Sequence, residues 1–94
     1  MDNYKHYYTA YANYLIDIYI GINENYKDTH LYSALINFIK NVDVLTEFND
    51  IILYLCKNEV QAYADRNSLD IKILGIKEYY KLELRKKRIK EILT

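Results

Sequence analysis

The fold is decided by residues 4–22, YKHYYTAYANYLIDIYIGI, in which tyrosine and branched aliphatic residues recur at helical spacing. The apolar positions alternate in steps of four and three residues, at Tyr4, Tyr8, Tyr11, Leu15, Ile18 and Ile22. This is the a/d pattern of a helix that packs lengthwise against another helix. Ile16 and Ile20 lie on the opposite side, so we expect this helix to be buried from more than one direction, at the centre of a bundle or of a dimer.

Five tyrosines fall within the first fourteen positions, namely Tyr4, Tyr7, Tyr8, Tyr11 and Tyr14. A tyrosine ring is a large apolar surface with a polar tip, and tyrosine is enriched at interface hot spots. Five hydroxyls are also more polar atoms than a small dry core readily satisfies. We therefore predict that these tyrosines form a partner or homodimer interface. The alternative is an internal stripe in which each hydroxyl reaches solvent or a backbone carbonyl.

Two further helices are predicted before residue 67. The second begins at Asp28 or Thr29 and ends near Asn41, with an apolar stripe at Leu31, Leu35, Phe38, Ile39 and Val42. The third is capped by Asp43 and runs to about Arg66, with apolar positions at Leu45, Phe48, Ile52, Leu55, Ala62 and Tyr63. Because no proline or glycine separates them, the two could also be one bent helix.

The C-terminal region begins at Asn67 and Ser68, with Ser68 as the expected cap of a helix that extends to Leu93. Asp70 would then lie in the first turn, where a carboxylate favours the helix dipole. Gly75 interrupts the helical pattern and marks a turn or a close approach. Residues 69–76 also contain a short apolar alternation that could form an edge strand.

Length and composition predict one all-α domain over residues 1–94, folded as a compact bundle of four or five helices. The 51% hydrophobic and 28% charged shares exclude disordered, collagen-like and disulfide-scaffold classes. A single cysteine, Cys56, favours a reducing compartment, so we expect a cytoplasmic protein. The longest apolar stretch, residues 51–56, is too short to span a bilayer, and no membrane insertion is expected.

The residues that could carry catalysis are few. His6 and His30 are the only histidines, and Cys56 follows Leu55 in a segment that should be buried, so it is interpreted as a small core residue. Two glycines cannot form a phosphate-binding loop. Asp2 and His6 are four residues apart, but a single pair near the N-terminus is interpreted as a surface contact and not as a metal site. We therefore predict no catalytic residue, no metal, no cofactor and no enzymatic activity.

Charge is distributed unevenly although the formal net charge is zero. Residues 1–47 contain three lysines against six acids, and residues 48–94 contain ten bases against seven acids, so the halves carry −3 and +3. The basic side chains concentrate at Lys77, Lys81, Arg85, Lys86, Lys87, Arg88 and Lys90. Helical spacing aligns Lys77, Lys81, Arg85 and Arg88 on one face, which suits phosphate contacts or an acidic partner. A solvated helix whose cations oppose its own dipole is the alternative.

The segment around Gly75, LGIKEYY over residues 74–80, resembles the turn of a helix-turn-helix, in which a glycine between apolar residues precedes the recognition helix. The resemblance covers about twenty residues and implies DNA binding through the helix that follows. Ile71 stands where the motif has alanine, and Asp70 and Lys81 stand where it has apolar residues.

These observations predict a small non-enzymatic protein–protein interaction module: a regulator, inhibitor or adaptor. In size, charge polarity and lack of a catalytic site it resembles small helical proteins that phages and mobile elements encode. It is expected to be a homodimer through its first helix. The alternative is a DNA-binding transcriptional regulator that uses residues 77–90. A weaker alternative is a helical bundle resembling the bacteriocin-immunity proteins, suggested by size and the cationic tail.

Overall fold

The computed structural model describes residues 2–42 and 46–93, with side chains described for residues 5–42 and 47–86. These residues form four α-helices: α1 (Asp2–Ile22), α2 (His30–Lys40), α3 (Thr46–Arg66) and α4 (Ile76–Leu93). A 3₁₀ turn, Tyr26–Asp28, precedes α2, and no strand occurs among the described residues. The prediction of an all-α bundle with four or five helices is confirmed. The edge strand predicted near residues 69–76 is wrong, because that segment pairs with no second strand.

The helix boundaries follow local capping chemistry. Thr29 caps α2, because its Oγ1 accepts a hydrogen bond from the Tyr32 backbone N–H at 3.3 Å. After α1, Asn23 turns the chain with its Oδ1, which accepts the Asn25 N–H at 3.0 Å. Helices α2 and α3 are separate and pack on each other, with Asn41 closing α2. The cap predicted at Asp43 lies outside the described residues.

Helix α1 occupies the centre of the molecule, since it packs against α2, α3 and α4. Its most buried side chains are Tyr8, Tyr11, Ala12, Leu15, Ile16 and Tyr19. The predicted a/d stripe is buried at Tyr8, Tyr11 and Leu15, and half-buried against the core at Ile18 and Ile22; the side chain of Tyr4 lies outside the described residues. A straight helix has 3.6 residues per turn, so a strict heptad stripe drifts by about 20° per repeat and the contact passes to Ile16 and Tyr19.

The buried face of α3 differs from the predicted one. The side chains that enter the core are Asn49, Leu53, Cys56, Val60 and Ala64, at steps of four, three, four and four residues. Three residues of the predicted stripe, Phe48, Ile52 and Leu55, are exposed instead. The helix carries two apolar stripes, and the longer one, which runs along the whole helix, is the one that packs on α1 and α2.

Residues 67–75 form an irregular connecting segment between α3 and α4. Ser68 does not begin the next helix as predicted. It closes α3 in a left-handed conformation (φ 56°), and the Leu69 N–H donates back to the Ala64 carbonyl at 2.9 Å. Consequently Asp70 lies outside any helical first turn, and α4 begins only after Gly75, whose carbonyl accepts the Tyr79 N–H at 2.9 Å.

Leu53 and Leu55 provide a matched test of this assignment, because they are the same residue type on opposite faces of α3, 0% and 54% exposed. Leu53→Ala removes core packing and should lower the free energy of unfolding by about 2 to 5 kcal/mol. Leu55→Ala should change it by no more than about 0.5 kcal/mol. Urea denaturation followed by circular dichroism measures both values. Equal losses would show that the outer face of α3 is part of the core.

Candidate functional site

The N-terminal tyrosines lie inside the molecule or at its inner seams. Tyr8 and Tyr11 belong to the core, at 4% and 1% exposure. Tyr7 and Tyr14 are half-buried against it, and the side chain of Tyr4 lies outside the described residues. Within a single folded chain, Tyr8 and Tyr11 therefore offer almost no surface to a partner. The predicted dimer interface on α1 is not tested by one chain and stays a prediction.

Three of these tyrosines hold the backbone on either side of Gly75. The Tyr11 hydroxyl donates to the Leu74 carbonyl at 2.6 Å, and the Leu74 N–H donates to the Tyr14 hydroxyl at 3.0 Å. The Tyr7 hydroxyl donates to the Ile76 carbonyl at 3.1 Å. Since neither Leu74 group belongs to a helix ladder, these side chains supply partners that the backbone would otherwise lack.

Gln61 of α3 holds the same segment from the other side. Its Nε2 donates to the Ile71 carbonyl at 2.7 Å, and its Oε1 accepts the Ile73 N–H at 2.9 Å. The side-chain amide thus pairs with the connecting segment much as a neighbouring strand would. Ile73 is thereby fixed at the edge of the core, where it is 3% exposed.

Aromatic contacts extend this anchoring to the first turns of α4. Tyr79 packs against Tyr11 and Tyr14, with ring centroids 5.6 and 4.8 Å apart, and Tyr80 meets Tyr7 edge-on at 4.6 Å. Such pairs contribute about 0.5 to 1.5 kcal/mol beyond burial. We call Tyr7, Tyr11 and Tyr14 together with Gln61 the clasp, because they fix the connecting segment and the start of α4.

The clasp removes the argument that polar burial by tyrosine favours association. No buried side-chain nitrogen or oxygen among the described residues lacks a hydrogen-bond partner. The hydroxyls of Tyr7, Tyr11 and Tyr14 reach backbone groups of their own chain, as the alternative interpretation expected. Burial is also the main cause that raises the pKa values of Tyr7, Tyr11 and Tyr79, so these hydroxyls remain protonated donors at neutral pH.

Cys56 is a core residue, as predicted, packed among the apolar side chains of α3 and its neighbours. Burial raises the pKa of its thiol to about 11, and the nearby Glu59 carboxylate adds to the effect. The thiolate that nucleophilic chemistry requires is therefore scarce at neutral pH. Nothing in this setting activates the sulfur.

An apolar strip on the outer face of α3 is the most distinctive surface of the described chain. The outer strip consists of Phe48, Ile51, Ile52 and Leu55, which are 58%, 55%, 38% and 54% exposed. Their i, i+3, i+4, i+7 spacing puts them on one helix face. Tyr54, at 64% exposure, lies beside the strip. Because a side chain of this size has about 200 Å² of surface, the strip leaves roughly 400 Å² of apolar area in water.

The predicted basic face is present in part. Lys77, Lys81 and Arg85 are exposed on one side of α4, and the side chain of Arg88 lies outside the described residues. Lys86 is also exposed but makes an ion pair with Glu83 at 3.7 Å. The resemblance to a helix-turn-helix is not supported, because the residues before Gly75 are irregular where that motif has a helix.

Other sites in the described chain offer little chemistry. A groove of about 420 Å³ lies between α1 and α4, open to solvent and lined in part by Asn13, Asp17, Leu82 and Lys86. Within the described residues, no group of three or more histidine, cysteine or acidic side chains is placed to hold a metal ion. None of the described helices has the length and apolar content needed to cross a bilayer.

Comparison with protein-family models, with curated proteins and with solved structures gives no match to this chain.

Sequence reasoning missed Gln61 and the outer strip as functional features. The strip was recognisable as apolar, but it was assigned to the core. Its short length was the available signal, since Glu59 ends it one turn after Leu55 while the buried stripe continues to Ala64. Gln61 gave no signal, because its partners are backbone atoms of a segment whose path the sequence does not reveal.

Replacing Tyr11 tests the clasp, because its hydroxyl donates a hydrogen bond to the Leu74 carbonyl. Tyr54 is the control, because its side chain projects into solvent. Tyr11→Phe keeps the ring but leaves that carbonyl unsatisfied, so the free energy of unfolding should fall by about 1 to 2 kcal/mol. Tyr54→Phe should leave it within about 0.5 kcal/mol of the parent. Native-state hydrogen exchange should show faster exchange at Ile73 and Leu74 in Tyr11→Phe alone. Unchanged stability and exchange would mean that the hydroxyl bond contributes nothing.

Proposed function

We propose that this protein is a non-enzymatic protein–protein interaction module that binds its partner through the outer strip of α3. The observation that carries the proposal is the strip itself: four large apolar side chains lie exposed at helical spacing on one face. The largest apolar patch of a monomeric protein is typically about 300 to 600 Å² and is often functional. Isolated exposed apolar residues such as Ile20 need no such explanation.

The strip is preorganised for binding. Leu53 and Cys56 anchor the opposite face of the same helix in the core, so the outer side chains are displayed on a rigid rod. A rigid surface loses little conformational entropy when a partner binds. The arrangement suits docking of an apolar helix face or groove, as in helix-mediated recognition.

Magnitudes indicate what the partner must supply. Burial of roughly 400 Å² at about 25 cal/mol per Å² contributes about 10 kcal/mol. Association costs about 4 to 15 kcal/mol in lost translational and rotational freedom. Because these terms are comparable, the partner must add apolar surface of its own or contacts to neighbours such as Tyr54. A regulator, inhibitor or adaptor can act through such binding alone, by covering one surface of its target.

A second candidate function is nucleic-acid binding through α4. Its support is the exposure of Lys77, Lys81 and Arg85 along one side of a helix that packs chiefly on α1 through its first turns. Three cations spaced along a helix match a run of backbone phosphates and give sequence-independent affinity. The proposal needs no helix-turn-helix. The immunity-protein alternative stays a prediction from size and charge.

Phe48→Lys with Leu55→Lys tests the interaction module, because two cations on the outer strip make apolar docking unfavourable while the core face is unchanged. We expect affinity capture from lysate of the source cells to lose its partners, as detected by quantitative mass spectrometry. Ile20→Lys, an exposed apolar site on α1, is the matched control and should retain them. All three proteins should melt cooperatively within a few degrees of one another. Equal capture by the parent and the strip variant would refute a docking role for the strip.

Lys81→Ala with Arg85→Ala tests the nucleic-acid candidate, with Lys40→Ala of α2 as a charge control. If three phosphate contacts carry binding, affinity for duplex DNA should fall roughly 40-fold between about 50 and 200 mM salt. The double variant should weaken binding at both salt concentrations, and the control should not. Gel shift or fluorescence anisotropy measures both effects. An absence of binding by the parent at low salt would end this candidate.

A further inference from the structure

The outer strip is symmetric about its own midpoint. Its residues, Phe48, Ile51, Ile52 and Leu55, are separated by three, one and three positions, and this order is the same when read backwards. An α-helix that carries such a strip can meet an antiparallel copy of itself with every apolar residue opposite another apolar residue. A strip without this symmetry would bring polar residues into such a contact.

We propose that the occupant of the outer strip is a second copy of this chain, packed antiparallel on α3 about a two-fold axis between Ile51 and Ile52. Phe48 then lies against the partner's Leu55, Ile51 lies against the partner's Ile51, and Ile52 lies against the partner's Ile52. One contact covers both strips at once, as an isologous interface requires. The inference rests on the proposed function and specifies the partner of the same surface.

The area available fits a small dimer. Two strips contribute roughly 800 Å² of apolar surface, and the flanking Tyr54 side chains, which a two-fold axis places along the same edge of the contact, raise the total toward about 1,000 Å². This value is close to the roughly 1,000 Å² that a biological interface should clear and below the roughly 1,200 Å² of stable complexes. We therefore expect a weak dimer that dissociates on dilution.

Charge does not oppose this packing. Glu47 and Glu59 are the acidic residues that flank the strip, and both are exposed. Asp50 is also exposed, but it lies on the side of α3 near Tyr7, whose pKa it helps to raise. With a rise of about 1.5 Å per residue, the two copies of Glu47 lie about 13 Å apart along the helix and the two copies of Glu59 about 22 Å apart. Both separations exceed the Debye length of about 8 Å at physiological salt, so repulsion between like charges is largely screened.

The geometry permits a covalent test at the axis. Helices in contact have axes about 8 to 10 Å apart, which brings facing Cα atoms within the range that a disulfide spans. Ile51→Cys lies almost on the two-fold axis and should form an interchain disulfide under mild oxidation. Glu59→Cys, exposed on the same helix, lies too far from its copy and is the matched control. Parent Cys56 is buried, so the unmodified chain reports background crosslinking.

The experiment combines sedimentation velocity of the full chain at about 1 to 500 μM with oxidation of the two cysteine variants. We expect a concentration-dependent monomer–dimer equilibrium in the parent, its loss in Phe48→Lys with Leu55→Lys, and a crosslinked dimer in Ile51→Cys alone. A parent that stays monomeric throughout would overturn the inference, and so would a dimer that persists in the lysine variant or an Ile51→Cys yield equal to that of Glu59→Cys.

The outcomes also separate this inference from the proposed function. A monomeric parent whose foreign partner is lost in the lysine variant would retain the interaction module and reject the second copy. A dimer that the lysine variant dissociates, without any foreign partner, would identify self-association as the interaction itself. If the parent stays monomeric and the lysine variant captures the same partners as the parent, the strip has neither role.

Discussion

The pairing of tyrosine hydroxyls with the backbone around Gly75 is the constraint on which the rest of the structure depends. The segment between α3 and α4 has no helix ladder, so its peptide groups need partners from elsewhere. Tyr11 and Tyr14 supply them from α1, and Gln61 supplies them from α3. Without these bonds, the peptide groups of the segment would be desolvated and unpaired, and α4 would be held to α1 mainly by the ring contacts of Tyr79 and Tyr80. The tyrosine-rich start of the chain is thus primarily a means of holding its C-terminal third.

This arrangement explains why α1 is central and why it packs against apolar helix faces on one side and polar backbone groups on the other. One side of α1 packs on the apolar faces of α2 and α3, and the other binds polar backbone through hydroxyls at the tips of its rings. A tyrosine serves both purposes, because its ring fills core volume while its hydroxyl reaches an edge. Phenylalanine would fill the same space and leave the peptide groups unsatisfied.

The sequence predicted the number of helices, their order and most of their ends, because periodicity and capping are local properties. Thr29 and Asn23 act where their chemistry indicates. It could not predict which apolar face of α3 enters the core, since both faces have acceptable spacing and the choice depends on the neighbours. Nor could it predict the path of residues 67–75, where Ser68 adopts a left-handed conformation that glycine more often adopts. Only the structure identified the outer strip, as the apolar face of α3 that the core leaves exposed.

The division of α3 into an inner and an outer apolar face has an evolutionary consequence. Inner positions such as Leu53 and Val60 are constrained by folding, whereas outer positions such as Ile51 contribute little to it. Substitutions at the outer positions can therefore accumulate as the binding partner of this surface changes. In a set of natural variants, the substitution rate at the outer positions would therefore reflect changes of binding partner. The substitution rate at the inner positions would reflect the requirement to keep the protein folded.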